Sequence, residues 1–317
     1  MKNLLSSLVL VGLVFSLGVI CGAMLQRRFD LERLLNIARI EKRPSSAPMR
    51  QPSRMPTHVY TEIPEEFRGK LSLYILAGQS NMSGRGELPF EQSVHPRVFV
   101  FGNDYRWHVA IEPIDAPDGQ VDEVSRDGDA GFGPGLTFAT ALAQHNPDVV
   151  IGLIPCAKGA SSIEQWQRNL SENSLYGSCL KRVRAASTMG TVVALLFFQG
   201  EADAVDPKRA LNYSPSAFTY AMKFSTFVND FRGDVSFPNM PIIFAQIGTT
   251  AAPNVFLNWT TVKEQQTMTD LSCSAIIITD DLALRDEVHF TTESYEIIGK
   301  RYAEALVQLK TARAHCK

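Results

Sequence analysis

LSLYILAGQSNMSGRGE, residues 71–87, changes character halfway along. Leu71–Ala77 is continuously apolar, the pattern of a strand covered on both faces. Gly78, Gln79, Ser80 and Asn81 then follow at once. Ser80 therefore stands just past a strand end. A helical turn can begin there and leave its hydroxyl exposed near the positive end of that turn. Taken singly, a serine in such a turn is more often a helix cap than a nucleophile.

Four more runs share the apolar, β-branched character of the first: Val149–Pro155, Val192–Phe198, Pro241–Ile247 and Ser274–Thr279. Helix-like stretches separate or follow them, at Leu136–Gln144, Leu180–Ser187, Ala217–Phe231, Val262–Leu271 and Ser294–Thr311. This alternation predicts an α/β fold with a central parallel sheet of about five strands and right-handed crossovers. Val98–Phe101 reads as a short accessory strand, and residues 102–132, rich in Asp and Gly, as a long functional loop. Open parallel sheets bind ligands beyond the carboxyl ends of their strands. The residues to inspect there are Gly78-Gln79-Ser80-Asn81, Cys156-Ala157-Lys158-Gly159, Gln199-Gly200-Glu201 and Asp286-Glu287-Val288-His289.

Those residues contain the parts of an acyl-transfer site. Asp286 and His289, three apart, fall on one side of a tight turn. An aspartate so placed can fix the imidazole tautomer while the other ring nitrogen takes a proton from a nucleophile. Backbone N–H groups at Ser80 and Gly159 can hold an oxyanion, and Gln199 can add a side-chain amide or merely end a strand. Gln79, Asn81, Glu201 and Trp166 are candidate pocket residues, Trp166 as a platform for a sugar or as a core residue. No CxxC or Cys/His cluster appears, so a metal site is not expected.

Four blocks carry a family resemblance: YILAGQSNMSGRGE (74–87), IPCAKGASSIEQW (154–166), FFQGEADA (197–204) and RDEVHF (285–290). Together they resemble the SGNH-hydrolase superfamily, and more narrowly carbohydrate esterase family 6 and the sialate O-acetylesterase-like domain. The resemblance implies a flavodoxin-like three-layer α/β/α sandwich. It implies Ser80 as nucleophile, His289 as general base, Asp286 as its orienting acid, and Ser80, Gly159 and Gln199 around the oxyanion. The implied reaction is removal of acetyl groups from sugar hydroxyls through an acetyl-enzyme, without cofactor. Two positions depart from the family pattern: Gly159-Ala160-Ser161 where a second Gly and a Thr are usual, and Gly135 where an acid is usual. Two other readings stand beside this one, an esterase of lipid or small acyl esters and a non-catalytic glycan-binding protein.

Composition sets the outer bounds. The chain has 317 residues, 45% hydrophobic and 20% charged, ordinary globular values that exclude disordered, collagen-like and polytopic membrane classes. Net charge is −2, so no global basic field invites nucleic acid. Charge is uneven, however. Residues 26–57 hold eight Lys/Arg against three acids, with Pro44, Pro48, Pro52 and Pro56 spaced as in an extended tether. Leu4–Leu25 is an uncharged run long enough to span a bilayer or to serve as a signal peptide. Three regions are thus expected: residues 1–25 as anchor or signal, 26–57 as a basic stalk, and 58–317 as the esterase domain. Lys2 before the run and Arg27-Arg28 after it leave the orientation open. Glycan chemistry favours a lumenal or extracellular body in the secretory pathway, membrane-bound through the N-terminal segment or secreted. The sequons at Asn169, Asn212 and Asn258 agree with that reading, and Asn81, beside Ser80, should stay bare. Cys156, Cys179, Cys273 and Cys316 either form two disulfides or remain free thiols.

Overall fold

The computed structural model describes residues 61–208, 216–311 and Cys316. The apolar leader, the basic stalk and Asn212 lie outside the described residues. Among the described residues no helix is long and apolar enough to cross a membrane.

Strand β1 (Leu71–Gly78) forms the middle of the sheet. The other strands are β2 (Val98–Phe101), β3 (Trp107–Val109), β4 (Ile151–Pro155), β5 (Gly190–Phe198), β6 (Ile242–Ala245) and β7 (Ser274–Ile277). Their order is β3-β2-β4-β1-β5-β6-β7. Every neighbouring pair is parallel except β2–β3. The sheet therefore has seven strands rather than about five. Val98–Phe101 is a full member, paired with β4, and β3 adds an antiparallel edge from within the expected loop of residues 102–132.

Helices cover both faces. Along β1, Leu71, Leu73, Ile75 and Ala77 face a core shared with α3 (Leu175–Ala186), α5 (Tyr220–Asp234) and α6 (Trp259–Thr267). Tyr74 and Leu76 face the other core, shared with α2 (Pro134–His145) and α7 (Thr292–Thr311). Burial on both sides is why β1 shows no polar alternation. Two four-residue helices, α1 (Ser80–Ser83) and α4 (Glu201–Ala204), start directly beyond β1 and β5.

The cysteines pair as Cys156–Cys179 and Cys273–Cys316. The first ties the end of β4 to α3, and the second ties the start of β7 to the chain beyond α7. A buried network fastens residues 102–132 to the body. Arg182 of α3, fully buried, donates to Asn103 Oδ1, the Pro155 carbonyl, Ser125 Oγ and Asp122.

From the central strand the chain fills one side of the sheet (β2, β3, β4) and then crosses to the other (β5, β6, β7). The topological switch therefore lies at the carboxyl end of β1, where a crevice opens. Gly78 is essential to that junction. Its φ is +133°, and a Cβ there would stand 2.1 Å from the Phe198 carbonyl oxygen. The same carbonyl accepts the Gln79 N–H at 2.8 Å. Gly78→Ala is expected to lower the unfolding free energy in urea by roughly 3 kcal/mol or more, from strained backbone and a displaced strand. An unchanged unfolding midpoint would mean that β1 and β5 can part there without cost.

Candidate active site

The switch point delivers Ser80 as the first residue of α1. The Ser80 N–H is one of the donors a helix start leaves without an intrahelical acceptor. The loop after β7 brings the second group. His289 Nε2 lies 2.9 Å from Ser80 Oγ, across 209 positions of sequence. His289 Nδ1 lies 2.8 Å from Asp286 Oδ2. With Nδ1–H donated to the carboxylate, Nε2 is the acceptor of the Ser80 hydroxyl proton. Asp286 is itself fixed, because its Oδ1 accepts the N–H groups of Val288 at 3.0 Å and His289 at 2.8 Å. Partial burial opposes its ionisation. The two N–H donors and the imidazole outweigh that, and the carboxyl sits below its ordinary range. Ser80, Asp286 and His289 thus meet as one hydrogen-bonded line.

These groups open into a crevice whose walls differ in character. Ala202, Val205, Phe256 and Val288 make an apolar side. Arg85, Asp127, Lys158 and Gly159 make a polar one. Arg85 reaches both oxygens of Asp127, at 2.9 and 2.8 Å. Asp127 also accepts the Ser83 hydroxyl and the Gly159 N–H, each at 2.8 Å. Burial works against the Asp127 charge, but the Arg85 guanidinium and these donors hold its carboxyl below the usual range. Gly159 is required by this packing: a Cβ would come within 2.6 Å of Arg85 Nη2 and 2.9 Å of Asp127 Oδ2. Neither Arg85 nor Asp127 stands out in the sequence. Arg85 shares a block with Ser80, and Asp127 lies in the Asp/Gly-rich stretch of residues 102–132.

Several expected pocket residues sit elsewhere. Gln199 is fully buried beneath the crevice rather than in its wall. Its Nε2 donates to Gln79 Oε1 at 3.2 Å, the Ser161 carbonyl at 3.0 Å and Asp203 Oδ2 at 2.7 Å. The physical reason is a cluster of internal acceptors that claims the amide. Trp166 is also fully buried, stacked edge-on against Phe197 and Phe227 with its Nε1–H on Ser161 Oγ, so no face is left for a sugar. Asn81 is buried and bonded on every side: it donates to Glu201 Oε1 and to the Val288 carbonyl, and accepts from Tyr295 OH. Tyr295, absent from the sequence reading, is the α7 anchor of that network. Gly159 does line the crevice, but its N–H already has the Asp127 acceptor.

Gln79 and Glu201 do reach the crevice. Gln79 Oε1 accepts from Gln199 Nε2, Gly200 N–H and Ala202 N–H. Three donors fix that end as oxygen, which turns the amide nitrogen away from them. Among the described residues no group of three or more His, Cys, Asp or Glu side chains is arranged to hold a metal ion.

Gln199→Ala is expected to lower unfolding stability by roughly 2–3 kcal/mol, because buried acceptors lose a donor. A direct oxyanion donor would instead leave stability intact and lower kcat alone. Urea unfolding and kinetics on the same variant separate the two.

Comparison with known proteins gives consistent results. Residues 70–308 match the family model for carbohydrate esterases described as sialic acid-specific acetylesterases. A probable carbohydrate esterase of Arabidopsis thaliana is 30% identical over 254 residues, covering 74% of this chain and 89% of that protein. Its solved structure superposes with a TM-score of 0.63 at 28% identity, covering 76% of this chain and 99% of that one. NanS superposes at 0.56 with 18% identity, covering 78% and 99%. A carbohydrate acetylesterase of Xanthomonas citri superposes at 0.52 with 18% identity, covering 76% and 56%. At that identity the last two show likeness of fold.

Proposed function

The chain belongs to the sialic acid-specific acetylesterase family of carbohydrate esterases, hydrolases of ester bonds, and from this premise we propose that it removes O-acetyl groups from a carbohydrate with Ser80 as nucleophile. The observation that carries the proposal is the line Asp286–His289–Ser80, with contacts of 2.8 and 2.9 Å at the carboxyl end of the central strand.

In this reading His289 Nε2 takes the Ser80 proton as Oγ attacks the acetyl carbonyl. Asp286 stays ionised, holds the tautomer and stabilises the imidazolium that forms. In this reading the Ser80 N–H and the Gln79 amide nitrogen, both from residues that line the crevice, hold the oxyanion. Gly159 N–H can join them by exchanging its Asp127 acceptor for the developing charge. His289 then gives its proton to the departing sugar hydroxyl, and a water repeats the sequence to release acetate. The apolar wall at Ala202, Val205, Phe256 and Val288 suits a small acyl group. The polar wall at Arg85, Asp127 and Lys158 suits hydroxyl-rich substrate. That division of walls favours an acetylated glycan over a long-chain lipid ester.

We further propose that the body acts in the secretory pathway or outside the cell, with the N-terminal segment as anchor or signal. The two disulfides, Cys156–Cys179 and Cys273–Cys316, support this, because such bonds persist in oxidising compartments. Asn169 of the first sequon is exposed, as an acceptor for glycan must be.

The test is acetate release from acetylated xylan and O-acetylated sialoglycans. Ser80→Ala is expected to abolish release, and Asp286→Asn to lower kcat by roughly 10⁴-fold through the wrong imidazole tautomer. Release that survives in Ser80→Ala would defeat the assignment of the nucleophile. A folded parent that acts on neither substrate class would favour the glycan-binding reading.

A further inference from the structure

Lys158–Ser161 form a tight turn at the crevice, closed by the Ser161 N–H on the Lys158 carbonyl at 3.2 Å. Both ends of the turn are fastened to one acceptor, the Gly78 carbonyl. The Lys158 N–H donates to it at 3.0 Å and the Ser161 hydroxyl at 3.3 Å. Gly78 stands two residues before Ser80, so the tip of the turn is held in place relative to the nucleophile. The third residue of the turn, Ala160, has φ +57°. That backbone favours glycine or asparagine, and alanine adopts it only under strain. The glycine of the turn is one place too early to relieve it, because Gly159 is packed against Arg85 and Asp127. Among the described residues Tyr105, Ser236 and Cys273 are the other non-glycine residues with positive φ, and Ala160 alone of the four lines the crevice. Ala160 is also exposed, whereas Ser161 and Ser162 after it are buried.

Glycine at this position would relax the backbone. What alanine adds is one methyl group, at a residue that faces the crevice rather than the core. The course of the chain says which part of a substrate meets it. Before Ala160 come Lys158 and Gly159 of the polar wall. After it, the Ser161 carbonyl accepts Gln199 Nε2 at 3.0 Å and the Ile163 N–H donates to Asp203 Oδ2 at 2.7 Å. Those two bonds tie the chain to α4, which carries Ala202 of the apolar wall. Ala160 thus stands where the polar wall passes into the apolar one. From this geometry we infer that Ala160 is a specificity-determining residue, whose methyl group closes the acyl side of the crevice so that an acetyl ester reaches Ser80 and a longer acyl ester does not. This deepens the esterase reading of the same site and rests on it.

A single methyl group can select among acyl chains only if the chain that carries it does not yield. This turn is restrained on every side. Its two ends share the Gly78 carbonyl, its second residue donates to Asp127 at 2.8 Å, and Cys156, two residues before Lys158, is bonded to Cys179 of α3. A longer acyl chain would have to displace that whole set of bonds to make room. Against a surface of this rigidity, one added methylene changes kcat/KM by roughly tenfold or more.

The experiment compares kcat/KM for para-nitrophenyl acetate and para-nitrophenyl butyrate in the parent, Ala160→Gly and Ala160→Asn, with urea unfolding of each. Glycine and asparagine both accept a positive φ, but one removes the methyl group and the other enlarges it. The parent is expected to prefer acetate by about tenfold or more. Ala160→Gly is expected to raise the butyrate-to-acetate ratio at least about tenfold, with an unfolding midpoint no lower than the parent's. Ala160→Asn is expected to leave that ratio at or below the parent's. A ratio unchanged in Ala160→Gly would overturn the proposal. So would an equal rise in both variants, which would trace the effect to the backbone and not to the methyl group. A parent that takes butyrate as readily as acetate overturns it without any variant. A folded parent that hydrolyses neither ester would defeat the esterase reading itself and this proposal with it, a result distinct from each of the others.

Discussion

The Asn81 side chain, one residue beyond Ser80, donates to the carbonyl of Val288, one residue before His289, at 3.1 Å. The same amide donates to Glu201 Oε1 and accepts from Tyr295 OH at 2.6 Å. One buried, fully bonded group thereby joins four pieces of chain: the α1 turn, the loop after β7, the α4 start and helix α7. A hydrogen bond of 2.9 Å between Ser80 and His289 needs tolerances that two surface loops could not keep separately. A buried polar side chain holds its neighbours in place when its own hydrogen-bonding groups are satisfied, and both ends of the Asn81 amide are bonded. Of its partners Glu201 is the one with an unpartnered oxygen, the buried Oε2.

Beneath this network lies the burial of β1 on both faces. A central strand packed by α3, α5 and α6 on one side and by α2 and α7 on the other has no freedom to twist out of place. Its end is set against β5 by the Gln79 N–H on the Phe198 carbonyl. Ser80 and Gln199 therefore emerge side by side from neighbouring parallel strands, one into the crevice and one under it. The Cys156–Cys179 bond and the Arg182 network hold the third contribution, the Gly159 loop and residues 102–132, against the same edge.

Much of this was legible in the residues, for reasons that can be stated. Leu71–Ala77 and Val192–Phe198 read as buried strands because double coverage removes polar alternation. Ser80, Asp286 and His289 read as a set because each follows its run in chain order and the last two share a turn. Helix α3 begins at Leu175, five residues before the expected start, because its first turn contains Gly177 and Ser178, weak helix formers, and is held instead by Ser174, whose side chain accepts the Gly177 N–H. β3 is only three residues long and has too little pattern to see. The direction of a side chain at a strand end was the hardest feature to read. Gln199 turns inward because Gln79, Ser161 and Asp203 supply acceptors there, and Trp166 because Phe197 and Phe227 surround it. These partners come from separate stretches of chain, so no local window contains them. Asp127 reaches Arg85 and Gly159 from an irregular segment without any period.

The most direct measurement is mass spectrometry of the intact protein quenched in acid during turnover of an acetylated glycan, followed by peptide mapping. The account predicts a fraction of the protein heavier by one acetyl group, with that group on Ser80. Turnover without any acetylated protein, or an acetyl group carried at another residue, would contradict it.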